Sequence, residues 1–154
     1  MIMVVRFAVA QTKVTLNANV NLGSIVQMTK RAKIQGADLV LFPEYFISGP
    51  KPSKELSKEV GLIREVQKFA SSSKIYIVGS HQELDDDKFY NTAFLISNNG
   101  EIIAKHRKIC LMPEEIQDGF SAGKVTKVFK TLFGKLALPV CYDSFNKVIK
   151  NLSS

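Results

Sequence analysis

The chain has 154 residues, of which 45% are hydrophobic, and carries a formal net charge of +7. This is the length of one globular domain with room for a sizeable core, so we expect residues 1–154 to form a single domain. The mean hydropathy of +0.03 argues against a disordered chain. The lysines are dispersed, and the longest basic cluster runs only from Lys105 to Lys108, which disfavours a nucleic-acid-binding surface.

The two cysteines, Cys110 and Cys141, lack the Cys-x-x-Cys or histidine spacing that indicates a zinc site. Since two cysteines also make no disulfide framework in a chain of this size, we expect a reducing, cytoplasmic setting. The apolar N-terminus lacks a basic leader and is interrupted by Arg6, so it predicts a buried first strand rather than a signal peptide. No apolar stretch has the length of a membrane span.

The first half of the chain alternates between strand and helix patterns. Helical spacing of buried-type side chains, as at Ile25, Thr29 and Ala32, predicts helices. The continuous apolar run before Pro43 is typical of a strand covered on both faces. In chain order we expect strand 4–11, a helix through 22–32 ending at Gly36, strand 38–42, a loop 45–53, a helix 53–72 and strand 75–79.

The second half is rich in strands and turns. Residues 90–97 and 101–106 are expected to form a hairpin around Asn98-Asn99-Gly100. A second hairpin is expected to join 125–130 to 135–141. Strands and helices that alternate first and then give way to hairpins predict an α/β layered domain with a mixed sheet.

Several polar side chains are expected to have structural roles only. The acidic run 85–87 predicts a solvated turn, because consecutive carboxylates do not converge on a cation as alternate ones do. His81 is expected in a loop and His106 in a strand, neither with a carboxylate partner at recognisable spacing. Cys110 is expected to be a half-buried hydrophobic filler.

Three chemically distinct groups, Glu44, Lys108 and Cys141, each follow a predicted strand. Only the thiolate form of a cysteine attacks well, so a nucleophilic thiol needs a neighbouring base or a cation. A carboxylate can act as that base, and an ammonium can stabilise both the thiolate and the oxyanion formed at an attacked carbonyl. Together they are the components of a thiol-based acyl-transfer site that requires no histidine.

Each of the three residues also has a purely structural interpretation. A cysteine at the end of a buried strand is usually a small core hydrophobe, which is the alternative for Cys141. Glu44 is otherwise a loop or cap residue after Pro43. Lys108 is otherwise a surface lysine whose aliphatic stem covers apolar neighbours.

Three blocks of the sequence resemble the motifs of the carbon–nitrogen hydrolase family, which is the nitrilase superfamily. The order glutamate, lysine, cysteine and the spacing between them are similar to those of the family, and the resemblance covers essentially the whole chain. The blocks are Gly36-Ala37-Asp38-Leu39-Val40-Leu41-Phe42-Pro43-Glu44-Tyr45-Phe46, His106-Arg107-Lys108-Ile109-Cys110-Leu111 and Gly134-Lys135-Leu136-Ala137-Leu138-Pro139-Val140-Cys141-Tyr142-Asp143.

The resemblance implies an αββα sandwich that hydrolyses small amide, nitrile or carbamoyl substrates without a metal or an organic cofactor. It makes Glu44 the general base, Lys108 the stabiliser of the tetrahedral intermediate and Cys141 the acylated nucleophile. The resemblance also implies that a further glutamate, Glu114 or Glu115, orients the substrate. Tyr142 is likewise expected to bind the substrate. The family also implies a homo-oligomer.

The sequence ends at Ser154, thirteen residues after Cys141. Members of the family continue through a second set of strands and helices, so the resemblance predicts a domain truncated after the nucleophile strand. Such a half-sandwich is expected to expose an apolar sheet face and a free edge. The alternative to an active hydrolase is therefore an inactive half-domain that associates with a complementary chain or with itself.

Overall fold

The computed structural model describes residues 4–53 and 60–145. Within those ranges, no helix combines the length and the apolar character needed to cross a bilayer. The elements in chain order are β1 (Phe7–Val9), α1 (Ala18–Ile34), β2 (Leu39–Leu41), α2 (Val60–Ser73), β3 (Tyr76–Asp85), β4 (Lys88–Ile96), β5 (Ile102–Arg107), α3 (Pro113–Gln117), β6 (Phe129–Thr131), β7 (Gly134–Leu136) and a 3-10 helix (Cys141–Phe145).

Five strands form one mixed sheet in the order β1-β2-β3-β4-β5. The pairs β1–β2 and β2–β3 are parallel, whereas β3–β4 and β4–β5 are antiparallel. The expected mixed sheet is therefore confirmed, although β1 and β2 are shorter than predicted. Because β2 and β3 run in the same direction, the loops that follow them leave the same edge of the sheet.

Helices α1 and α2 cover one face of the sheet. Asn17 caps α1 by accepting hydrogen bonds from the backbone N–H groups of Asn19 and Val20. The predicted helical spacing is confirmed, because Ile25, Thr29 and Ala32 are all buried. The second helix was predicted to begin at residue 53, and residues 54–59 of that prediction lie outside the described residues. The core on this face contains Ile25, Val40, Ile47, Val66, Ala70, Ile75, Ile77, Phe94 and Ile96.

The opposite face of the sheet is only partly covered. A second core cluster forms there beneath the two-stranded sheet of β6 and β7. It contains Leu39, Tyr76, Val78, Ala93, Leu95, Ala104, Leu138 and Val140. At the β1 edge of this face, Phe7 remains 60% exposed and Val9 77% exposed. The second predicted hairpin exists, but its paired residues are 129–131 and 134–136 rather than the longer ranges expected.

Strand β3 is twice as long as the predicted strand 75–79, and this changes the interpretation of His81. The strand pairs with β4 as far as the partners Asp85 and Lys88. Asp86 and Asp87, both with positive φ, form the turn between these strands. The prediction that His81 lies in a loop is therefore wrong, since His81 is a buried residue of β3. Polar residues in the second half of β3 concealed the strand pattern.

Glycine is required at position 79, where β3 passes beneath the aromatic ring of Phe46. A Cβ atom on Gly79 would lie 2.7 Å from the Phe46 ring. The backbone of Phe46 is also fixed to β3, because its N–H donates to the Ser80 carbonyl at 3.0 Å. This close approach holds the loop after β2 against the end of the parallel part of the sheet.

Burial of His81 predicts a pH-dependent loss of stability. Burial lowers the pKa of His81 to about 4, despite the opposing charge of Glu83, whereas an unfolded histidine titrates near 6.5. Between these values the unfolded chain binds more protons, so stability falls as the pH falls. From pH 7 to 4.5, unfolding in urea should show the wild type losing about 2 kcal/mol more than His81→Leu. Equal losses would contradict the prediction.

Candidate active site

The candidate site lies at the carboxyl ends of strands β2 and β5. Glu44 lies in the loop after β2, and the Tyr45 N–H that follows it donates to Ser80 Oγ at 3.0 Å. Lys108 follows β5, and its N–H donates to the Asn91 carbonyl at 2.8 Å, which extends the β4–β5 pairing by one step. The sheet thus brings together side chains that are 64 residues apart in the sequence.

The ammonium group of Lys108 lies between two carboxylates. Its Nζ atom is 3.0 Å from Glu44 Oε1 and 2.7 Å from Glu115 Oε2. Lys108 is 1% exposed, which makes it the largest fully buried side chain among the described residues. The interpretation of Lys108 as a surface lysine is therefore wrong. A buried ammonium is tolerated only when it is paired, and two carboxylates satisfy that requirement here.

The structure distinguishes between the two candidate glutamates. Glu115 is buried in α3 and contacts Lys108, whereas Glu114 is exposed. Glu115 Oε2 also accepts the Met112 backbone N–H at 2.9 Å. Its Oε1 accepts the Tyr45 hydroxyl at 2.5 Å. Four partners thus hold this carboxylate, once the Asn91 side chain is counted.

Asn91 connects the two carboxylates. Its Nδ2 donates to Glu44 Oε1 at 2.6 Å and to Glu115 Oε1 at 3.1 Å. Neither Asn91 nor Tyr45 was predicted from the sequence to be a site residue. Tyr45 could not be identified from spacing, because its contact with Glu115 spans 70 residues. Asn91 was detectable only as a polar residue on the core-facing side of a strand.

The protonation states of the cluster follow from these contacts. Burial alone lowers the pKa of Lys108, but Glu115 and Glu44 outweigh it, so the net shift is upward and the group stays an ammonium. Burial raises the pKa of Glu115, but hydrogen bonds led by Lys108 make the net shift downward. Burial, followed by the contact with Glu115, raises the pKa of Tyr45, which keeps its hydroxyl a donor.

Cys141 begins the 3-10 helix and has a left-handed backbone, with φ of +44°. Non-glycine residues rarely adopt this conformation, and they cluster at functional sites. Cys141 is exposed rather than packed in the core, so its interpretation as a core hydrophobe is wrong. Cys141 and Glu44 line the same cavity, of about 120 Å³, whose other walls include Leu41, Gly79, Ser80, Ala93 and Val140.

Other predicted residues lie outside this cluster. Tyr142 is 45% exposed, and its ring lies 6.3 Å from that of Phe145. A larger cavity of about 740 Å³ lies between β5 and residues 122–129, and its lining includes none of the three predicted catalytic side chains. Among residues 4–53 and 60–145, no group of three or more His, Cys, Asp or Glu side chains is placed to hold a metal ion.

His106 has a carboxylate partner that its spacing did not reveal. Its Nε2 lies 2.9 Å from Asp143 Oδ2, and both side chains are buried. The partner lies 37 residues away in the sequence, so no local spacing indicates it. The predicted strand position of His106 is confirmed, since the residue lies in β5. Cys110 is half-buried, as predicted.

Known proteins share both the sequence pattern and the fold. The family model described as carbon-nitrogen hydrolase matches residues 6–151. Omega-amidase NIT2 of Danio rerio is 34% identical, over 90% of this chain and 54% of the relative. Omega-amidase NIT2-B of Xenopus laevis is 32% identical, over 90% of this chain and 55% of the relative.

Solved structures agree with these matches. The crystal structure of an amidase from Nesterenkonia sp. superimposes with a TM-score of 0.85 at 28% identity, over 97% of this chain and 60% of that chain. A cysteine-to-alanine variant of the amidase from Nesterenkonia sp. AN1, in complex with butyramide, gives a TM-score of 0.84 at 28% identity, over the same shares of the two chains.

The fold is that of nitrilase-type amidase structures, a mixed sheet with helices packed against it. The chain belongs to the carbon–nitrogen hydrolase family. It spans about half the length of the curated relatives it matches.

Loss of Lys108 should destabilise the fold more than loss of Lys105, because only Lys108 is fully buried with its ion pairs. Lys108→Met leaves two carboxylates without their cation, so we expect the free energy of unfolding to fall by about 3 kcal/mol. A second substitution, Glu115→Gln, should recover part of that loss because it removes one of the two charges. Urea unfolding followed by circular dichroism measures both.

Lys105→Met is the matched control. Lys105 pairs with Glu83 at a partly exposed position, so its loss should lower the free energy of unfolding by less than about 1 kcal/mol. Similar losses for Lys105→Met and Lys108→Met would contradict the assignment of Lys108 as a buried, paired charge.

Proposed function

We propose that the chain carries the catalytic residues of a hydrolase that cleaves non-peptide carbon–nitrogen bonds through a cysteine thioester. The observation that carries the proposal is the buried Lys108 ammonium held by Glu44 and Glu115, with Glu44 and Cys141 on one cavity. In this proposal Cys141 is the nucleophile, Glu44 is the general base and Lys108 stabilises the oxyanion.

In the first step, Glu44 accepts the thiol proton as Cys141 Sγ attacks the carbonyl carbon of an amide. The carbonyl π electrons move to oxygen, and the Lys108 ammonium donates a hydrogen bond to the resulting oxyanion. When the tetrahedral intermediate collapses, the carbon–nitrogen bond breaks and Glu44 returns the proton to the leaving nitrogen. Ammonia departs, and the acyl group remains on sulfur as a thioester.

In the second step, water replaces ammonia at the thioester. Glu44 accepts a proton from the water as its oxygen attacks the carbonyl carbon. The carbon–sulfur bond then breaks, the carboxylic acid leaves, and Glu44 returns the proton to the Cys141 thiolate. One carboxylate therefore serves both half-reactions, which accounts for a thiol site without histidine.

Glu115 has a positioning role in this scheme. It holds Lys108 Nζ at 2.7 Å and is itself held by the Tyr45 hydroxyl and the Met112 N–H. An ammonium fixed in this way can point a donor at the oxyanion without reorganising during the reaction. Glu115 is thus the glutamate that completes the site, and the exposed Glu114 has no part in it.

The substrate class is a small amide. The cavity of about 120 Å³ at Cys141 has room for a short acyl group rather than for a drug-sized ligand. The similar proteins support this class, since the sequence relatives are omega-amidases and a structurally similar amidase binds butyramide in its complex. A nitrile would react by the same attack through a thioimidate, and a carbamoyl compound by the same attack on its carbonyl, so both remain substrates to test.

Acyl transfer to Cys141 is tested by incubating the protein with butyramide and mapping adducts by mass spectrometry. We expect ammonia release and an acyl adduct on Cys141, because the thioester is an obligatory intermediate. Cys141→Ala should lose both, and Glu44→Gln should lower turnover by at least about 10²-fold.

Cys110→Ala is the matched control, because Cys110 is the second thiol and has no role in the proposed chemistry. It should keep the Cys141 adduct and the rate of ammonia release. Turnover that survives in Cys141→Ala would contradict the proposal.

A second candidate function, association, is favoured by the apolar side chains on the uncovered part of the sheet. Phe7 and Val9 are 60% and 77% exposed at the β1 edge. Such a surface favours pairing with another copy or with a complementary chain.

Size-exclusion chromatography with light scattering measures association of the isolated chain. We expect an oligomer, and Val9→Lys should shift it toward the monomer because it places a charge on this face. Ile34→Lys is the control, since Ile34 is 86% exposed at the end of α1. A wild-type monomer with a cooperative thermal transition would contradict association through this face.

A further inference from the structure

Asp143 is a fully buried carboxylate two residues after Cys141. Its Oδ1 accepts the backbone N–H groups of Ile109 at 3.0 Å and Cys110 at 2.8 Å. Its Oδ2 accepts the Val140 N–H at 3.1 Å and lies 2.9 Å from His106 Nε2. The mechanism described above gives this side chain no task.

The four partners of Asp143 surround the two reactive side chains in the sequence. His106 and Ile109 lie on either side of Lys108, and Val140 immediately precedes Cys141. The carboxylate therefore joins the segment that carries the ammonium to the turn that carries the thiol. The Asp143 N–H also donates to the Val140 carbonyl at 3.0 Å, which closes that turn.

The charge of Asp143 suits this arrangement. Burial raises the pKa of Asp143, but the hydrogen bonds from His106, Cys110, Val140 and Ile109 outweigh it, so the net shift is downward. An ionised carboxylate only accepts hydrogen bonds, so His106 Nε2 must carry the proton in the contact. Each oxygen then receives two donors, which satisfies a charge with no access to solvent.

We propose that Asp143 and His106 form a positioning pair that holds the Cys141 thiol in register with Lys108 and Glu44. This inference rests on the proposed function, because it assigns a task within that reaction. The pair touches no reacting atom. It acts by fixing the turn at Cys141, whose left-handed backbone is unfavourable for a cysteine and has to be held by its surroundings.

The test begins with Asp143→Asn. The substitution keeps one carbonyl oxygen but places an amide NH₂ among N–H donors at the second position. The turn should then shift relative to Lys108, and a displacement of about 1 Å is enough to lower kcat by about 10²-fold. KM should change by less than about threefold, because the lost interaction serves the transition state rather than substrate binding.

A readout independent of turnover is alkylation of Cys141 by iodoacetamide, followed by peptide mass spectrometry. We expect Asp143→Asn to slow alkylation of Cys141 by about tenfold, since the thiol loses its alignment with the cation and the base. Asp38→Asn is the matched control, because Asp38 also accepts a backbone N–H, from Arg6 at 2.9 Å. It should leave kcat and alkylation of Cys141 unchanged.

A pair of substitutions at His106 tests the partner without altering the carboxylate. His106→Gln retains an N–H donor for Asp143, whereas His106→Leu removes it. We expect His106→Gln to keep kcat within about threefold of wild type and His106→Leu to lower it by about tenfold or more. This comparison decides the question if Asp143→Asn does not fold.

The outcomes separate this inference from the proposed function. Absence of Cys141-dependent amide turnover in the unsubstituted chain contradicts the proposed function, and the alkylation rates then decide the role of the pair. A folded Asp143→Asn with wild-type kcat and wild-type alkylation of Cys141 would overturn the positioning role. Equal effects of His106→Gln and His106→Leu would also overturn it, because a donor to Asp143 would then be irrelevant.

Discussion

The burial of Lys108 between Glu44 and Glu115 is the constraint on which the rest of the site depends. An ammonium with 1% exposure is stable only if carboxylates lie within hydrogen-bonding distance. Glu44 and Glu115 come from different parts of the chain, so the ion pairs also hold together the loop after β2 and helix α3. Asn91 and Tyr45 then fix the carboxylates from the sheet and from the loop.

The strand directions place this cluster at one end of the sheet. The parallel strands deliver the Glu44 loop to their carboxyl edge, and the β4–β5 hairpin brings Lys108 to the same edge. The thiol comes later in the chain, at the start of a 3-10 helix rather than at the end of a strand. Asp143 anchors this helix with four hydrogen bonds. The cluster of buried charges is thereby linked to the exposed thiol of Cys141, the proposed nucleophile.

The sequence alone predicted the parts of this site that follow a local pattern. Glu44 and Lys108 each follow a strand, and that placement required only the apolar runs before them. Glu115 could not be separated from Glu114, because both lie in the first turn of one short helix and only the tertiary contacts distinguish them. The pairing of His106 with Asp143 spans 37 residues and has no local signature.

The fold, too, was predictable from the sequence only where local patterns determine it. The mixed sheet and the central hairpin were predictable from alternation and turn residues. The second half of β3 was not, because Ser80, His81, Gln82 and Glu83 read as a polar loop in sequence. Their burial depends on pairing with β4 and on contacts with the Glu44 loop, as in the bond from the Tyr45 N–H to Ser80. Because polar residues are buried around a functional site, hydrophobic patterns in the sequence do not predict the secondary structure there.

The proposed chemistry requires that an acyl group on Cys141 enter the cavity lined by Glu44 and come within reach of the Lys108 ammonium. A crystal structure of the protein with Cys141 alkylated by iodoacetamide tests it directly, since the acetamide group added to sulfur resembles a bound amide. We expect the amide to point into the cavity, with Lys108 or Glu44 within hydrogen-bonding distance. An amide that lies in solvent, with the sulfur turned away from both side chains, would contradict it.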